Sequence, residues 1–201
     1  MENQEKVWDN IAEEWHEYKK MPPLNVVNFL KEHSGKILDI GSGSGRNLAK
    51  IKNGIMYELD FSKEMLKLAE EKSKEEKIPA EFIYSKSNKL PFEDESFDAA
   101  ICVSALHCVE TPKERKETVE EMYRVLKKGG EAFIGVWNHK SKRLRNSPRD
   151  KLIKWRDKGI RYYYLYEEDE VKNLFKEAGF EIIPNYNSEM MINFIVKKPV
   201  Q

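Results

Sequence analysis

The chain has 201 residues, 40% of them hydrophobic, with 35 basic and 35 acidic side chains and a formal net charge of zero. Its length and apolar content exclude a disordered chain and predict one globular domain over residues 1–201, while the balanced charge excludes a global field that would draw in nucleic acid or membrane. Cys102 and Cys108 show neither metal-ligand spacing nor a disulfide framework, and no apolar run approaches the roughly 18 residues of a membrane span, so a soluble, cytoplasmic protein without a metal site is expected.

In residues 5–20, Val7, Trp8, Ile11, Trp15 and Tyr18 recur at intervals of three and four, which predicts an amphipathic helix. Pro22 and Pro23 end it, and a second helix is expected over 24–33. Ile37, Leu38 and Ile40 then form a short apolar strand that breaks into Gly41, Gly43 and Gly45, with helix-compatible sequence over 46–51. Strand, glycine turn and helix in that order bring backbone close to a ligand at the carboxyl end of a strand. Asp39 lies inside the apolar strand, where a carboxylate is costly to bury without a partner. A second strand over 55–59 ends at Asp60, a carboxylate about 20 residues past the glycines, where a ribose-binding acid is expected.

A helix follows over 62–77 with Ser62 as its cap, then a strand over 80–84. Residues 97–103 are a continuous apolar run, as in a strand covered on both faces. Thr111 caps a helix over 111–126 with Pro112 at its first position, and a fifth strand is expected over 131–137. A last helix over 167–178 stops at Gly179; strands over 180–183 and 192–197, joined through Pro184 and Asn185, read as a closing hairpin. Strands alternating with helices predict an α/β, mostly parallel, doubly wound sheet, here with an antiparallel end.

Between the fifth strand and the last helix lies an insertion, 138–166, with ten basic residues against Asp150 and Asp157. Trp155, Tyr162, Tyr163, Tyr164 and Tyr166 interleave with them. Basic side chains neutralise phosphates and flat rings stack on unpaired bases, so this composition suits RNA; it equally suits a solvated loop over a packed tyrosine run.

Residues Ile37 to Gly45 resemble the first motif of the class I S-adenosylmethionine-dependent methyltransferases. Asp60 to Leu66 resembles that family's acidic loop and following helix; Leu90-Pro91-Phe92 with Ser96-Phe97-Asp98 resembles its approach to strand four; Arg124 to Gly130 resembles its turn before strand five. The resemblance covers residues 36–137 and implies a Rossmann-like, seven-stranded methyltransferase fold with S-adenosyl-L-methionine as cofactor. It implies that Gly41, Ser42 and Gly43 approach the methionine and ribose, that Asp39 pairs with the amino group or orients the turn, and that Asp60, beside Phe61, accepts the ribose hydroxyls. Val103 and Ser104 would border the methyl group. The family often has an aspartate four residues ahead of the leucine at Leu90; Lys86 stands there, so Ser85, Ser87, Asn88 or backbone would hold the adenine. The N-terminal helices, 1–33, would form a lid that lays an aromatic ring over the cofactor; the same helix can equally be plain packing.

Arg161 to Tyr166, together with Trp8-Asp9-Asn10-Ile11-Ala12, resembles the tRNA methyltransferases that esterify 5-carboxymethyluridine at the wobble position. The chain departs from them in Lys19 to Leu24, where they tend to carry Arg-x-Lys-Pro-Trp-Pro, and in His107-Cys108, where they tend to carry His-His. The resemblance implies a tRNA partner, no membrane, and a small zinc-binding activator subunit. A carboxylate acceptor is already anionic and needs a cation rather than a base: Arg161, Lys19, Arg143 and Arg145 are the candidates, with Tyr162 and Tyr164 as substrate contacts. A carbon or phenol acceptor would want a base, and His107 is the candidate. A small-molecule methyltransferase resembling those of quinone biosynthesis, or a non-catalytic cofactor-binding regulator, remain the alternatives.

Overall fold

A computed structural model describes residues 2–183 and 189–200. Five parallel strands are laid down first: β1 (Ser34–Ile40), β2 (Lys52–Asp60), β3 (Ala80–Tyr84), β4 (Phe97–Val103) and β5 (Leu126–Trp137). β8 (Glu181–Ile183) and β9 (Met191–Lys197) complete a seven-stranded sheet in the order β3-β2-β1-β4-β5-β9-β8, with β9 antiparallel to β5 and to β8. The expected link through Pro184 and Asn185 lies outside the described residues. Observed ends differ from the expected ones mostly by a residue or two; β1 and β2 each begin three residues earlier and β5 five.

The period of two along each strand explains the continuous apolar runs. Leu38, Ile40, Ala100, Cys102, Ile134 and Phe194 join one core cluster with α4 (Pro112–Val125) and α5 (Glu168–Glu177). Ile37, Ala99, Ile101, Val103 and Phe133 join a second with α2 (Leu24–Glu32) on the opposite face. With both faces covered, no strand position between them needs a polar side chain. The caps are local, as expected: Ser62 Oγ accepts from the Met65 N–H at the start of α3 (Lys63–Glu76), and Thr111 Oγ1 accepts from Glu114 N–H.

The helix expected over 46–51 is absent. Residues 41–51 are all that join β1 to β2, and they turn: Gly45 N–H donates to Ser42 C=O at 3.3 Å and Leu48 N–H to Gly45 C=O at 3.2 Å. The left-handed backbone at Gly41, Gly43 and Gly45 gives the first part of this connection to the glycine turn, and only residues 46–51 remain to reach β2.

The insertion is folded rather than a solvated loop. Its core is a two-stranded antiparallel hairpin, β6 (Asp150–Lys154) and β7 (Ile160–Tyr164). The hairpin is tied to α1 (Gln4–Tyr18): the Gln4 amide donates to Ile160 C=O and accepts from Tyr162 N–H, while Trp155 Nε1–H donates to Glu14 at 2.7 Å. Much of its charge is spent internally. Arg156 and Lys158 pair with Glu14, Lys140 pairs with Glu167, and Arg149 bonds Glu170 and the Leu165 carbonyl. Lys142, Arg143, Arg145 and Lys154 stay free of ion pairs among the described residues. No helix of the described residues is long and apolar enough to cross a membrane.

Candidate active site

The strand order sets the position of the site. From β1 the chain runs outward to β2 and β3, then returns to lay β4 on the other side of β1. Such a reversal leaves a crevice beyond the carboxyl ends of the two diverging strands. Here it opens into a cavity of about 450 Å³, walled by the glycine turn, the ends of β2 and β4, residues 85–88, and α1.

Each wall has a local cause. Gly41 and Ser42 N–H both donate to the Leu59 carbonyl, at 2.8 and 3.0 Å, and Gly43 N–H donates to Asp60 Oδ2 at 2.8 Å. Those three bonds fold the turn over the end of β2. Asp60 Oδ1 accepts from Ser62 N–H at 2.9 Å, so one carboxylate holds both the turn and the start of α3. Burial pushes the Asp60 carboxyl up to about 6, against the pull of those N–H groups. Ser104, left-handed at φ 64°, is held by its N–H on the Gly135 carbonyl and turns the chain out of β4 along the cavity.

Most of the expected cofactor residues meet at this cavity. Gly41, Ser42, Gly43, Asp60, Phe61, Ser87, Asn88, Val103 and Ser104 all line it. Ser87 and Asn88 are also held from behind, by Thr118 at 3.0 Å and Glu117 at 2.9 Å. Asp39 is the exception. It lies fully buried beneath the turn, its Oδ2 accepting from Asn47 Nδ2–H at 3.2 Å, and it does not reach the cavity wall. Glu58 is its register neighbour on β2, buried with both carboxylate oxygens unpartnered. Burial raises the affinity of both for protons, helped at Asp39 by the nearby Asp60 charge and at Glu58 by the Asp39 charge. Asp39 thus orients the turn through Asn47.

The residues expected at the acceptor divide. Lys19 lines the cavity; the other six do not. His107 is 1% exposed, with its Nδ1 accepting from Trp137 N–H at 3.1 Å and its ring against Trp137 and Tyr163. Burial holds it neutral, down to about 3, so it is a packed residue with one nitrogen already engaged. Arg161 is 5% exposed and sits among Trp8, Trp15, Trp155 and Tyr163, 4.6–5.8 Å from their ring centroids, with Nη1–H donating to Tyr163 Oη at 2.5 Å. Trp8 and Trp15 stand at the cavity, and Arg161 lies behind them. Tyr162 is buried between Asp150 and Arg115; Tyr164 is held by Glu170 and Arg149. Neither ring is available for stacking on a base. Arg143 and Arg145 are exposed, outside the wall.

Arg161 therefore ties the hairpin to α1. Replacing it by Ala is expected to destabilise the protein by about 2–4 kcal/mol, from several cation–π contacts and a buried void. Thermal denaturation checks this; an unchanged Tm would mean that the guanidinium does not hold the two together.

Sequence reasoning missed Arg46, Glu110 and Glu114, which all line the cavity. Arg46 was hidden in the helix expected after the glycine turn. The two glutamates lie at the start of α4, far in sequence from the other walls, and no local pattern marks them. They supply carboxylates to a cavity in which Lys86 is a donor only.

The cavity suits an adenosyl cofactor on its own geometry. A Cβ built on Gly43 would meet nothing closer than Met65 Sδ at 4.0 Å and would project into space a ligand can fill. Asp60 stands beside it with acceptor capacity left.

A family model described as a methyltransferase domain matches residues 38–134. An uncharacterized protein of Methanocaldococcus jannaschii is 34% identical over 185 residues, 88% of this chain and 82% of that protein. A tRNA (carboxymethyluridine(34)-5-O)-methyltransferase of Arabidopsis thaliana is 32% identical over 134 residues, 66% of this chain but 32% of its own length. Among solved structures, the complex between the Haloferax volcanii Trm112 methyltransferase activator and a methyltransferase shares the fold, with a TM-score of 0.70, 17% identity and 99% of each chain covered. The matched domain begins in β1, ends in β5 and takes in every strand that borders the cavity: the chain belongs to the S-adenosylmethionine-dependent methyltransferases.

Proposed function

We propose that this chain methylates the carboxylate of 5-carboxymethyluridine at the wobble position of tRNA. The observation that carries the reading is the character of the acceptor end. Lys19 and Arg46 line the cavity with no carboxylate paired to either, while the only histidine near it is buried and occupied. That combination suits an acceptor that arrives anionic and needs holding rather than deprotonating. S-adenosylmethionine supplies a methyl group already electrophilic on its sulfonium. The protein's part is then to hold the acceptor oxygen in line, with Trp8 and Trp15 closing the cavity against water. The partial relative from Arabidopsis thaliana acts on this nucleoside by its name, which supports the choice. The Haloferax volcanii complex supports a small activator subunit as partner.

Methyl transfer from labelled cofactor into total tRNA, followed by nucleoside analysis, tests this. Label is expected in the methyl ester of carboxymethyluridine, and changing Arg143 and Arg145 together to Ala is expected to flatten the salt dependence of tRNA binding by up to about 0.7–0.9 log units per lost phosphate contact. Label absent from tRNA, with and without an activator, overturns it. A small-molecule acceptor is the second reading. It is favoured by the burial of Tyr162, Tyr163 and Tyr166, which leaves the insertion few rings to stack on RNA.

A further inference from the structure

We propose that Asp9 of α1 is a positioning residue for Asp60, fixing that carboxylate in the cavity wall from outside the cavity, through Ser62. The inference rests on Asp60 as the acceptor of the cofactor's ribose hydroxyls; it is independent of the tRNA reading above.

Asp9 belongs to the run Trp8-Asp9-Asn10-Ile11-Ala12. Its neighbours in that run are accounted for: Trp8 lines the cavity, the Asn10 amide donates to the Lys158 carbonyl at 3.3 Å, and Ile11 and Ala12 are buried. Asp9 is half-buried and lies outside the cavity wall. Its Oδ1 accepts from Ser62 Oγ–H at 2.6 Å and from Glu64 N–H at 3.2 Å, at the start of α3. Ser62 is fully buried and is held from two sides: its hydroxyl donates to Asp9, while its N–H donates to Asp60 Oδ1 at 2.9 Å. With its proton committed to Asp9, the hydroxyl oxygen is left to accept from Met65 N–H and cap the helix. Two carboxylates thus meet at the N-terminus of one helix, where unpaired N–H groups favour negative charge. Asp60 carries the connection onward to Gly43 N–H at 2.8 Å and into the cavity wall. From α1 to the glycine turn no link in this series exceeds 2.9 Å. A second contact seats the same face of α1: Glu5, four residues before Asp9, accepts from Tyr84 Oη–H at 2.5 Å. Around Asp9 stand Glu5 of its own helix, Tyr84 of β3, and Lys63 and Glu64 of α3, with Lys63 over the Tyr84 ring. Around Asp60 stand Asp39 of β1, Glu58 of β2 and Cys108 beyond β4. The Asp9 charge adds to the burial that raises the Asp60 carboxyl to about 6.

Calorimetry with S-adenosylmethionine on the full chain, across pH 4 to 8, tests this. Above the titration, Asp9→Ala is expected to weaken the cofactor by roughly threefold to tenfold, and Asp9→Asn, which keeps an oxygen for Ser62 and Glu64, to recover most of that loss. Asp9→Asn also removes a negative charge from beside Asp60, so its affinity is expected to rise with pH from a lower midpoint than the wild-type value of about 6. A side chain that only packs α1 would leave that midpoint in place. In an Asp60→Ala background, Asp9→Ala is expected to cost little more, because the carboxylate it positions is gone. Wild-type affinity in Asp9→Ala overturns the proposal, as does an unmoved midpoint in Asp9→Asn, or a double variant in which the two losses add in full. Thermal denaturation accompanies each variant; where Asp9→Ala lowers the Tm by loosening α1, the Asp9→Asn midpoint decides. Normal affinity in Asp60→Ala alone would remove the ribose reading and this proposal with it. The tRNA reading is decided separately, by label transfer into tRNA.

Discussion

Gly43→Val is expected to leave the protein folded and to abolish cofactor binding. The backbone there is left-handed at φ 57°, so a branched residue costs about 1–2 kcal/mol of strain, which a domain of this size survives. Its side chain finds room, because the nearest atom to a Cβ is Met65 Sδ at 4.0 Å. That room is the cavity. Filling it is expected to weaken S-adenosylmethionine by about 3 kcal/mol or more, beyond a hundredfold. Gly41→Val gives the contrast: a Cβ on Gly41 would lie 2.3 Å from the Ala105 Cβ, so this variant is expected to lose stability as well as binding. Calorimetry and thermal denaturation on both variants separate lost space from lost fold. Normal cofactor affinity in a folded Gly43→Val protein would move the cofactor site away from the glycine turn.

Asp60→Ala is expected to weaken the cofactor by about tenfold to a hundredfold, since charged acceptors contribute about 1.5–3 kcal/mol through each such bond. Asp60 also anchors Gly43 and Ser62, so part of the loss comes from a slackened turn. Asp60→Asn isolates the charge. Because burial raises the Asp60 carboxyl to about 6, cofactor affinity in wild type is expected to rise with pH through 6 and then level; in Asp60→Asn that rise should disappear. The stability of the ligand-free chain moves the other way. Between the ordinary value of 3.8 and about 6 the folded state binds more protons than the unfolded state, so stability falls as pH climbs through that window. Asp39 and Glu58 add to the fall with the same sign. Calorimetric titrations and denaturation curves from pH 4 to 8 check both slopes; parallel slopes would mean that Asp60 does not carry the linkage.

Local chemistry was legible without coordinates. Ser62 and Thr111 with Pro112 mark helix starts because capping bonds reach only three residues. The apolar run from Phe97 to Val103 marks a doubly covered strand because alternate side chains face opposite layers. Gly41, Gly43 and Asp60 mark one wall of the cavity because the spacing of a strand end, a turn and the next strand end is set by chain connectivity.

Tertiary structure decided the rest. The insertion reads as basic and aromatic, yet its role turns on partners far away in the chain: Glu14 takes Arg156, Lys158 and Trp155, and Gln4 takes the backbone of β7. Arg161 reads as a clamp and is a buried tie, because Trp8 and Trp15 of α1 meet Trp155 of the hairpin around it. His107 reads as a base and is a packed ring, because Trp137 of β5 offers its N–H. Arg46, read as a helix residue, faces the cavity because residues 41–51 are too few and too rich in left-handed glycines to wind a helix between β1 and β2. Charge and ring content belong to a segment, whereas exposure depends on what the rest of the chain packs against it, and at this cavity that separates Lys19 and Arg46 from Arg161 and His107.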